Sequence, residues 1–105
     1  MYEISFSFTK KGAMRFISHL DLLRLLQRAL RRSGLPLKMT EGFSPHPKLS
    51  IIRALKLGLE SENEEAKAVL REVVEPHQAK ELLNTQLPEG IEIVALTGRQ
   101  NSERA

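Results

Sequence analysis

Residues 15–34 read RFISHLDLLRLLQRALRRSG, and this stretch decides the fold because it predicts one amphipathic helix with a marked start and end. The hydroxyl of Ser18 can accept a hydrogen bond from the free amides of a following helix, and Asp21 favours the positive end of that helix. Gly34 supplies the left-handed residue that closes a helix. We therefore expect a helix over residues 19–33 with a buried stripe at spacings of three and four, formed by Leu22 or Leu23, Leu26, Ala29 and Leu30.

The segments on either side of this helix predict strands and a loop. Residues 2–9 alternate apolar and polar side chains, which is typical of a strand that buries one face. Residues 35–40 are expected to form a short strand. Residues 41–48 (EGFSPHPK) predict a loop because two prolines and a glycine interrupt any hydrophobic period. Residues 49–57 (LSIIRALKL) are apolar and partly β-branched, which favours another strand before a turn at residues 58–63.

The second half of the chain completes an α+β pattern. Residues 64–74 (EEAKAVLREVV) fit either a helix or a strand, residues 77–87 predict a helix, and a last strand begins at Ile91. This order fits a ferredoxin-like βαββαβ fold, in which two helices cover one face of an antiparallel sheet. We expect a single domain over residues 1–97 and a polar, flexible tail over residues 98–105.

The composition excludes several classes of function. The chain of 105 residues has no cysteine, so it has no disulfide, no thiolate metal cluster and no thiol nucleophile. No segment approaches the ~20 apolar residues of a membrane span, and the N-terminus lacks the apolar stretch of a signal peptide. No P-loop, dinucleotide-binding or nucleophile-elbow motif occurs. We expect a cytoplasmic protein without a cofactor, a bound metal or a membrane partner.

Charge is distributed unequally along the chain. Residues 1–56 carry 11 Lys and Arg residues and three acidic ones, whereas residues 57–105 carry five and ten. The first half therefore has a formal charge of +8 and the second half −5. A concentration of positive charge suits a polyanionic partner, although charge alone does not distinguish RNA from DNA or from an acidic protein.

The basic half contains a set of candidate contacts for nucleic acid. Four arginines recur along another face of the predicted helix, at Arg24, Arg28, Arg31 and Arg32. Hydroxyl and cationic donors suited to phosphate are expected near the loop, at Arg15, Ser44, His46, Lys48 and Arg53. Phe43 fits two interpretations: it stacks on an unpaired base, or it anchors the loop in the core. The aromatic pair of an RRM and the GxxG loop of a KH domain are both missing.

RFISHLDLLRLLQRALRRSGLPL, followed by EGFSPHPKLS, resembles the radical-SAM-linked family of bacterial proteins. The resemblance covers residues 15–50 and continues more weakly through residues 57–61 and the helix before LPEGIEIV. Members of that family occur beside a radical SAM protein or fused to one. The resemblance implies a radical SAM enzyme as partner, with RNA modification as a candidate setting. This chain lacks the CxxxCxxC motif, so it is not itself the radical SAM catalyst.

Histidine leaves a catalytic alternative open. His19 and His46 can act as acid or base near neutral pH if the fold brings them together, and Asp21 can complete a metal pair with them. His77 is a poor third metal ligand. The competing interpretation is that both histidines hydrogen-bond backbone groups and fix the loop against the helix.

Three hypotheses follow from the sequence. The first is a non-catalytic RNA-binding or accessory module that acts beside a radical SAM enzyme. The second is a metal-independent ribonuclease that uses His19 or His46, for which RNA-processing enzymes of the CRISPR repeat-cleaving type offer an analogy of fold only. The third is a protein-docking adaptor whose basic face meets an acidic patch on the radical SAM partner.

Overall fold

The first helix forms as the sequence predicts. The computed structural model describes residues 1–53 and 57–100, and in it helix α1 spans His19–Ser33. The side chain of Ser18 accepts a hydrogen bond of 3.1 Å from the amide of Asp21, and Gly34 closes the helix at φ 85°. Of the two alternatives for its stripe, Leu22 is buried and Leu23 is half-buried.

The remaining elements follow the βαββαβ order. Strand β1 spans Tyr2–Lys10, β2 Leu49–Ile51, β3 Ser61–Leu70 and β4 Ile93–Gln100, and the second helix, α2, spans Pro76–Asn84. A short 3-10 helix at Gly12–Phe16 joins β1 to α1. The four strands form one antiparallel sheet in the order β2-β3-β1-β4, which confirms the ferredoxin-like fold.

One face of the sheet carries the core. The buried side chains of β1 pair with small or aliphatic residues of β3, so that Phe6 lies beside Ala66 and Ile4 beside Ala68. Both helices contribute to the same cluster, α1 through its leucines and α2 through Leu83. Since alternate residues of a strand point to opposite faces, Ser5 and Ser7 lie on the other face of the sheet. Neither helix in the part of the chain that the structure describes covers that face, because both pack against the core. We call it the open sheet face.

The structure differs from two predicted segments and decides a third that was left open. Residues 35–40 form no strand, because Leu37 bridges Leu70 of β3 while Met39 bridges Pro47, and a change of partner within three residues leaves no continuous ladder. Residues 64–74, which fit either element, belong mainly to strand β3, which ends at Leu70. The strand expected at residues 49–57 ends at Ile51, and residues 54–56 of that prediction lie outside the described residues.

The bounds of two other predicted elements also differ in the structure. The helix expected at residues 77–87 begins and ends earlier, at Pro76–Asn84, where the side chain of Glu75 caps the amides of His77 and Gln78. Strand β4 continues to Gln100, three residues into the expected tail, because β1 supplies pairing partners up to Tyr2. Residues 101–105 of the expected tail lie outside the described residues.

Neither helix in the described part of the chain is long and apolar enough to cross a lipid bilayer.

Candidate nucleic-acid interface

The four arginines of α1 share one exposed side of the helix, which we call the arginine face (Arg24, Arg28, Arg31 and Arg32). Successive residues of a helix turn by about 100°, so these positions fall within an arc of about 100°. Arg24 lies 3.8 Å from the carboxylate of Asp21. The other three guanidinium groups have no carboxylate within 4 Å among the described residues. Most of the charge on this face is therefore available to an anionic ligand.

The arginine face borders a cavity on one side. Arg28 and Arg32 line a space of about 520 Å³ together with residues 85–88, which follow α2. The facing segment contributes amide, hydroxyl and apolar groups but no acidic side chain. An anion that approaches this side of α1 therefore meets two guanidinium groups without a competing carboxylate in the cavity wall.

The loop of residues 41–48 is closed at its base by hydrogen bonds. The amide of Thr40 donates to the carbonyl of His46 at 2.8 Å, and the amide of His46 donates to the hydroxyl of Thr40 at 3.1 Å. One step further out, the amide of Lys48 donates to the carbonyl of Lys38 at 2.9 Å. Gly42 adopts φ 121°, a conformation that favours glycine. These contacts hold residues 41–45 as a projecting tip, which confirms the predicted loop.

The loop lies against the same side of α1 as the arginines. The carbonyl of Pro45 accepts from the guanidinium of Arg31 at 3.3 Å, and the side-chain amide of Gln27 lies 3.2 Å from Nδ1 of His46. Gln27 and Arg31 are one helical turn apart, so the loop contacts two successive turns of α1. The structure therefore brings the arginine face and the loop together as one surface.

Phe43 projects from the tip of this loop into solvent. Its exposed fraction is 108%, the highest of any large hydrophobic residue that the structure describes. The expectation that it anchors the loop in the core is therefore wrong. An aromatic ring exposed on a loop that contacts the arginine face offers a flat surface on which an unpaired base can stack.

Two of the other predicted contacts lie on the loop, and two lie away from it. Ser44 and Lys48 are exposed on the loop itself. Arg15 lies elsewhere: its guanidinium donates to the carbonyl of Gly12 and lies 4.3 Å from the ring centre of Phe16. Arg53 follows β2, whereas the loop precedes it, so Arg53 belongs to the opposite end of that strand.

The two histidines are not brought together. His19 begins α1, while His46 contacts Gln27, which lies eight residues further along the helix, or about 12 Å at 1.5 Å per residue. Asp21 is engaged with Arg24 near the start of the helix. Within residues 1–53 and 57–100, no three His, Asp or Glu side chains are placed to hold a metal ion. The structure therefore does not bring His19 and His46 together as one acid-base or metal site.

His46 has a positioning contact instead. Its Nδ1 lies 3.2 Å from the side-chain amide of Gln27 and 3.3 Å from the carbonyl oxygen of Pro47, so it accepts from Gln27 in one neutral tautomer and donates to Pro47 in the other. The ring thereby links the loop to α1 as predicted for His46, although its partner on α1 is a side chain. Among the described residues the ring of His19 makes no hydrogen bond, so that part of the prediction is wrong. Sequence reasoning missed Gln27 and Thr40 as partners of His46, although Gln27 lies one turn from Arg24 and Arg31.

On the hypothesis of RNA binding, we predict that His46→Ala weakens that binding about threefold and lowers the melting temperature only slightly. A largely exposed hydrogen bond contributes at most ~1 kcal/mol to the free energy of unfolding. Its loss lowers the melting temperature of a domain of this size by a few °C. Differential scanning fluorimetry and fluorescence anisotropy measure the two effects. His77→Ala, on α2 away from the loop, is the matched control and should change neither.

The same experiment addresses the ribonuclease alternative. A general acid-base residue contributes ~10²–10⁴-fold in rate, so even slow site-specific cleavage by the purified wild type would be lost in a histidine variant. We expect no cleavage of cellular RNA after long incubation. Cleavage that vanishes in His46→Ala or His19→Ala would establish the enzyme and overturn the binding interpretation.

A comparison with models of protein families identifies the family of this chain. Residues 3–105 match the model of a family described as "Uncharacterized protein conserved in bacteria (DUF2344)". No curated protein matches the chain. The match covers the arginine face, the loop and all four strands except Tyr2, the first residue of β1.

Proposed function

We propose that this chain, which belongs to the DUF2344 family of bacterial proteins, is a non-catalytic module that binds single-stranded RNA through the arginine face and the loop. Affinity comes mainly from phosphate contacts of the guanidinium groups, and the preference for single strands comes from stacking on Phe43. The observation that carries this proposal is the fully exposed ring of Phe43, at the tip of a loop that also contacts Arg31.

The loop is suited to this role because it is ordered before a ligand arrives. Two hydrogen bonds close it at Thr40 and His46, and two contacts with α1 hold it in place. Fixing a binding loop in advance reduces the entropy that is lost on association. Phe43 therefore requires little further ordering to meet a base.

Arginine rather than lysine on α1 also supports a phosphate ligand. A guanidinium group presents a planar fork of donors that matches two phosphate oxygens, and it stacks on bases as well. Arg28 and Arg32 have no carboxylate partner among the described residues, so binding does not first have to break an ion pair.

A radical SAM enzyme is the proposed protein partner, with RNA modification as the proposed setting. The resemblance of residues 15–50 to the radical-SAM-linked proteins supports this pairing. In such a pair, the present chain contributes RNA affinity and the partner contributes the chemistry.

We predict that Phe43→Ala lowers the affinity for single-stranded RNA about fivefold, because stacking contributes ~1–3 kcal/mol per base. The probe is a fluorescein-labelled, unstructured RNA of about 20 nucleotides, longer than the ~4–16 nucleotides that one small single-strand-binding fold covers. The melting temperature should not change, since the ring is wholly exposed.

Phe16→Ala is the matched control, because Phe16 is another exposed aromatic residue and lies outside the loop. We expect this control to bind the probe as tightly as the wild type does. Equal affinity of Phe43→Ala and the wild type would show that no base stacks on Phe43 and would remove the basis for a single-strand preference.

Protein docking is a second candidate function, and one observation favours it. Leu57 and Leu59 flank Gly58, which lies against the ring of Phe16, and the three large side chains are 57–65% exposed. Clustered exposed apolar side chains are typical of contacts with another protein. A complex with the radical SAM enzyme that survives nuclease treatment and is lost in Phe16→Ala would establish this function.

A further inference from the structure

We propose that the open sheet face is a second RNA-binding surface, and that an RNA strand passes from the loop around the β2 edge onto it. The proposal rests on the proposed RNA-binding function and extends it to a surface that faces away from α1. It concerns one row of side chains across the four strands and the two cavities that this row connects.

The row consists of Ser50 on β2, Lys67 on β3, Ser5 on β1 and Thr97 on β4. The register places Lys67 opposite both Ser50 and Ser5, and Ser5 opposite Thr97. Directly opposite residues of antiparallel strands have Cβ atoms about 4.5–5.5 Å apart and point to the same face. One ammonium group and three hydroxyl groups therefore form a continuous line across the open sheet face.

These groups have no internal partner. Within the part of the chain that the structure describes, the hydroxyls of Ser5, Ser50 and Thr97 make no hydrogen bond, and Lys67 has no carboxylate within 4 Å. A lysine beside hydroxyl donors is suited to phosphate oxygens, and hydroxyls also pair with the ribose 2′-OH. The row can bind a ribose-phosphate backbone without breaking existing contacts.

Two cavities connect this row to the loop. One, of about 240 Å³, is lined by Ser5, Ser7, Lys67 and Thr97 among others. The second, of about 280 Å³, is lined by Lys67 and Ser50 on the sheet and by His46 and Lys48 from the loop. Because Lys67 lines both cavities and His46 also contacts Gln27 of α1, the surface is continuous from the arginine face to the row.

The chemistry of this face favours RNA over a protein partner. The row at its centre carries one ammonium and three hydroxyl groups, and Ile52 is the one exposed large apolar side chain among the described residues that line the adjoining cavity. The core of a protein interface is instead rich in large apolar residues. Two acidic residues of the open sheet face lie near the row. One of them, Glu3, lies 3.7 Å from Arg99, and this contact offsets its negative charge. The second acidic residue, Glu65, lines the first cavity with Lys67, while Lys48 and Lys67 line the second cavity, so the positive charge of the loop continues onto the sheet.

Lys67→Ala tests this proposal with the labelled RNA of about 20 nucleotides defined above. Each phosphate contact on a single strand adds ~0.7 to the slope of log affinity against log salt concentration. Loss of one contact should lower that slope by ~0.7 and weaken binding about three- to fourfold near physiological salt. Lys80→Ala on α2 removes the same charge at a position that lines neither cavity, and it should leave the slope unchanged.

The outcomes separate this inference from the function on which it rests. If the wild type does not bind the RNA at all, both proposals are wrong. If the wild type binds and Lys67→Ala has the slope and affinity of Lys80→Ala, the sheet face is not an RNA surface, while the arginine face and loop still are. In that case, capture of the radical SAM partner by the wild type but not by Lys67→Ala would assign the open face to protein instead.

Discussion

Replacing Arg24, Arg28 and Arg32 together by Ala is expected to lower the affinity for single-stranded RNA at least ~10-fold at moderate salt. Each guanidinium that contacts a phosphate releases condensed counterions when RNA binds, and the three contributions add up to ~2 in the slope of log affinity against log salt. All three side chains are exposed, so the melting temperature should remain close to that of the wild type. Anisotropy titrations over a range of salt concentrations measure both quantities.

The corresponding triple change to Lys distinguishes charge from shape. Lysine keeps the positive charge but lacks the planar fork, so the salt slope should be retained while some affinity is lost. A triple Ala variant that binds RNA unchanged at every salt concentration would disprove a role of the arginine face. An equal loss in both triple variants would instead indicate that the forked geometry, rather than the charge, is required.

Gly90→Ala is expected to destabilise the domain by at least ~2 kcal/mol, the largest stability effect that we predict. Gly90 adopts φ 100°, and an added Cβ would lie 2.5 Å from the carbonyl oxygen of Lys11 and 3.0 Å from Cγ of Met14. The left-handed conformation costs a residue with Cβ about 1–2 kcal/mol, and a forced collision adds ~1–3 kcal/mol. The backbone oxygen of Lys11 cannot move easily, because the amide of Lys11 donates to the carbonyl of Gly90.

Gly34→Ala is the matched control for this prediction. Gly34 also has a positive φ, of 85°, but an added Cβ would meet no atom within 4 Å. It should therefore cost only the conformational part, ~1 kcal/mol. Urea unfolding measures the stability of both variants. If the slope of the free energy of unfolding against urea concentration is unchanged, a shift of the midpoint reflects a change in stability. Equal stability of the two variants would disprove the close approach at Gly90.

Local signals made the first helix and first strand predictable. The hydroxyl of Ser18 and the left-handed Gly34 are cues that act within a few residues, so the bounds of α1 follow from the sequence alone. The alternation of apolar and polar residues from Tyr2 to Phe8 likewise predicts which face of β1 is buried. Signals of this kind depend little on the rest of the chain.

Partners that are distant in sequence decided the segments that were not predictable. Residues 61–70 contain many helix-forming residues, yet they form strand β3 because Ala66, Ala68 and Leu70 pair with the buried side of β1. Residues 98–100 are polar, and they extend β4 because β1 offers pairing partners there. Residues 35–40 do not form the expected strand, because Leu37 pairs with β3 and Met39 pairs with the loop.

The candidate site was predictable in its charge but not in its geometry. The helical spacing of the arginines is visible in the sequence, and the structure places them on one exposed face. The exposure of Phe43 and the contact between Gln27 and His46 depend on how the loop packs, which no local pattern encodes. Lys67 was missed because its neighbours on the sheet, Ser5 and Ser50, come from distant parts of the chain.

The central position of β1 has a consequence for the order in which the chain folds. Tyr2 pairs with Leu70 on one side and with Gln100 on the other, so both long ladders join segments far apart in sequence. Native contacts of this kind require large loops to close before they contribute stability, which slows folding. During synthesis, β1 emerges first but keeps one unpaired edge until β4 has followed. Until then, its backbone donors and acceptors remain open to another chain.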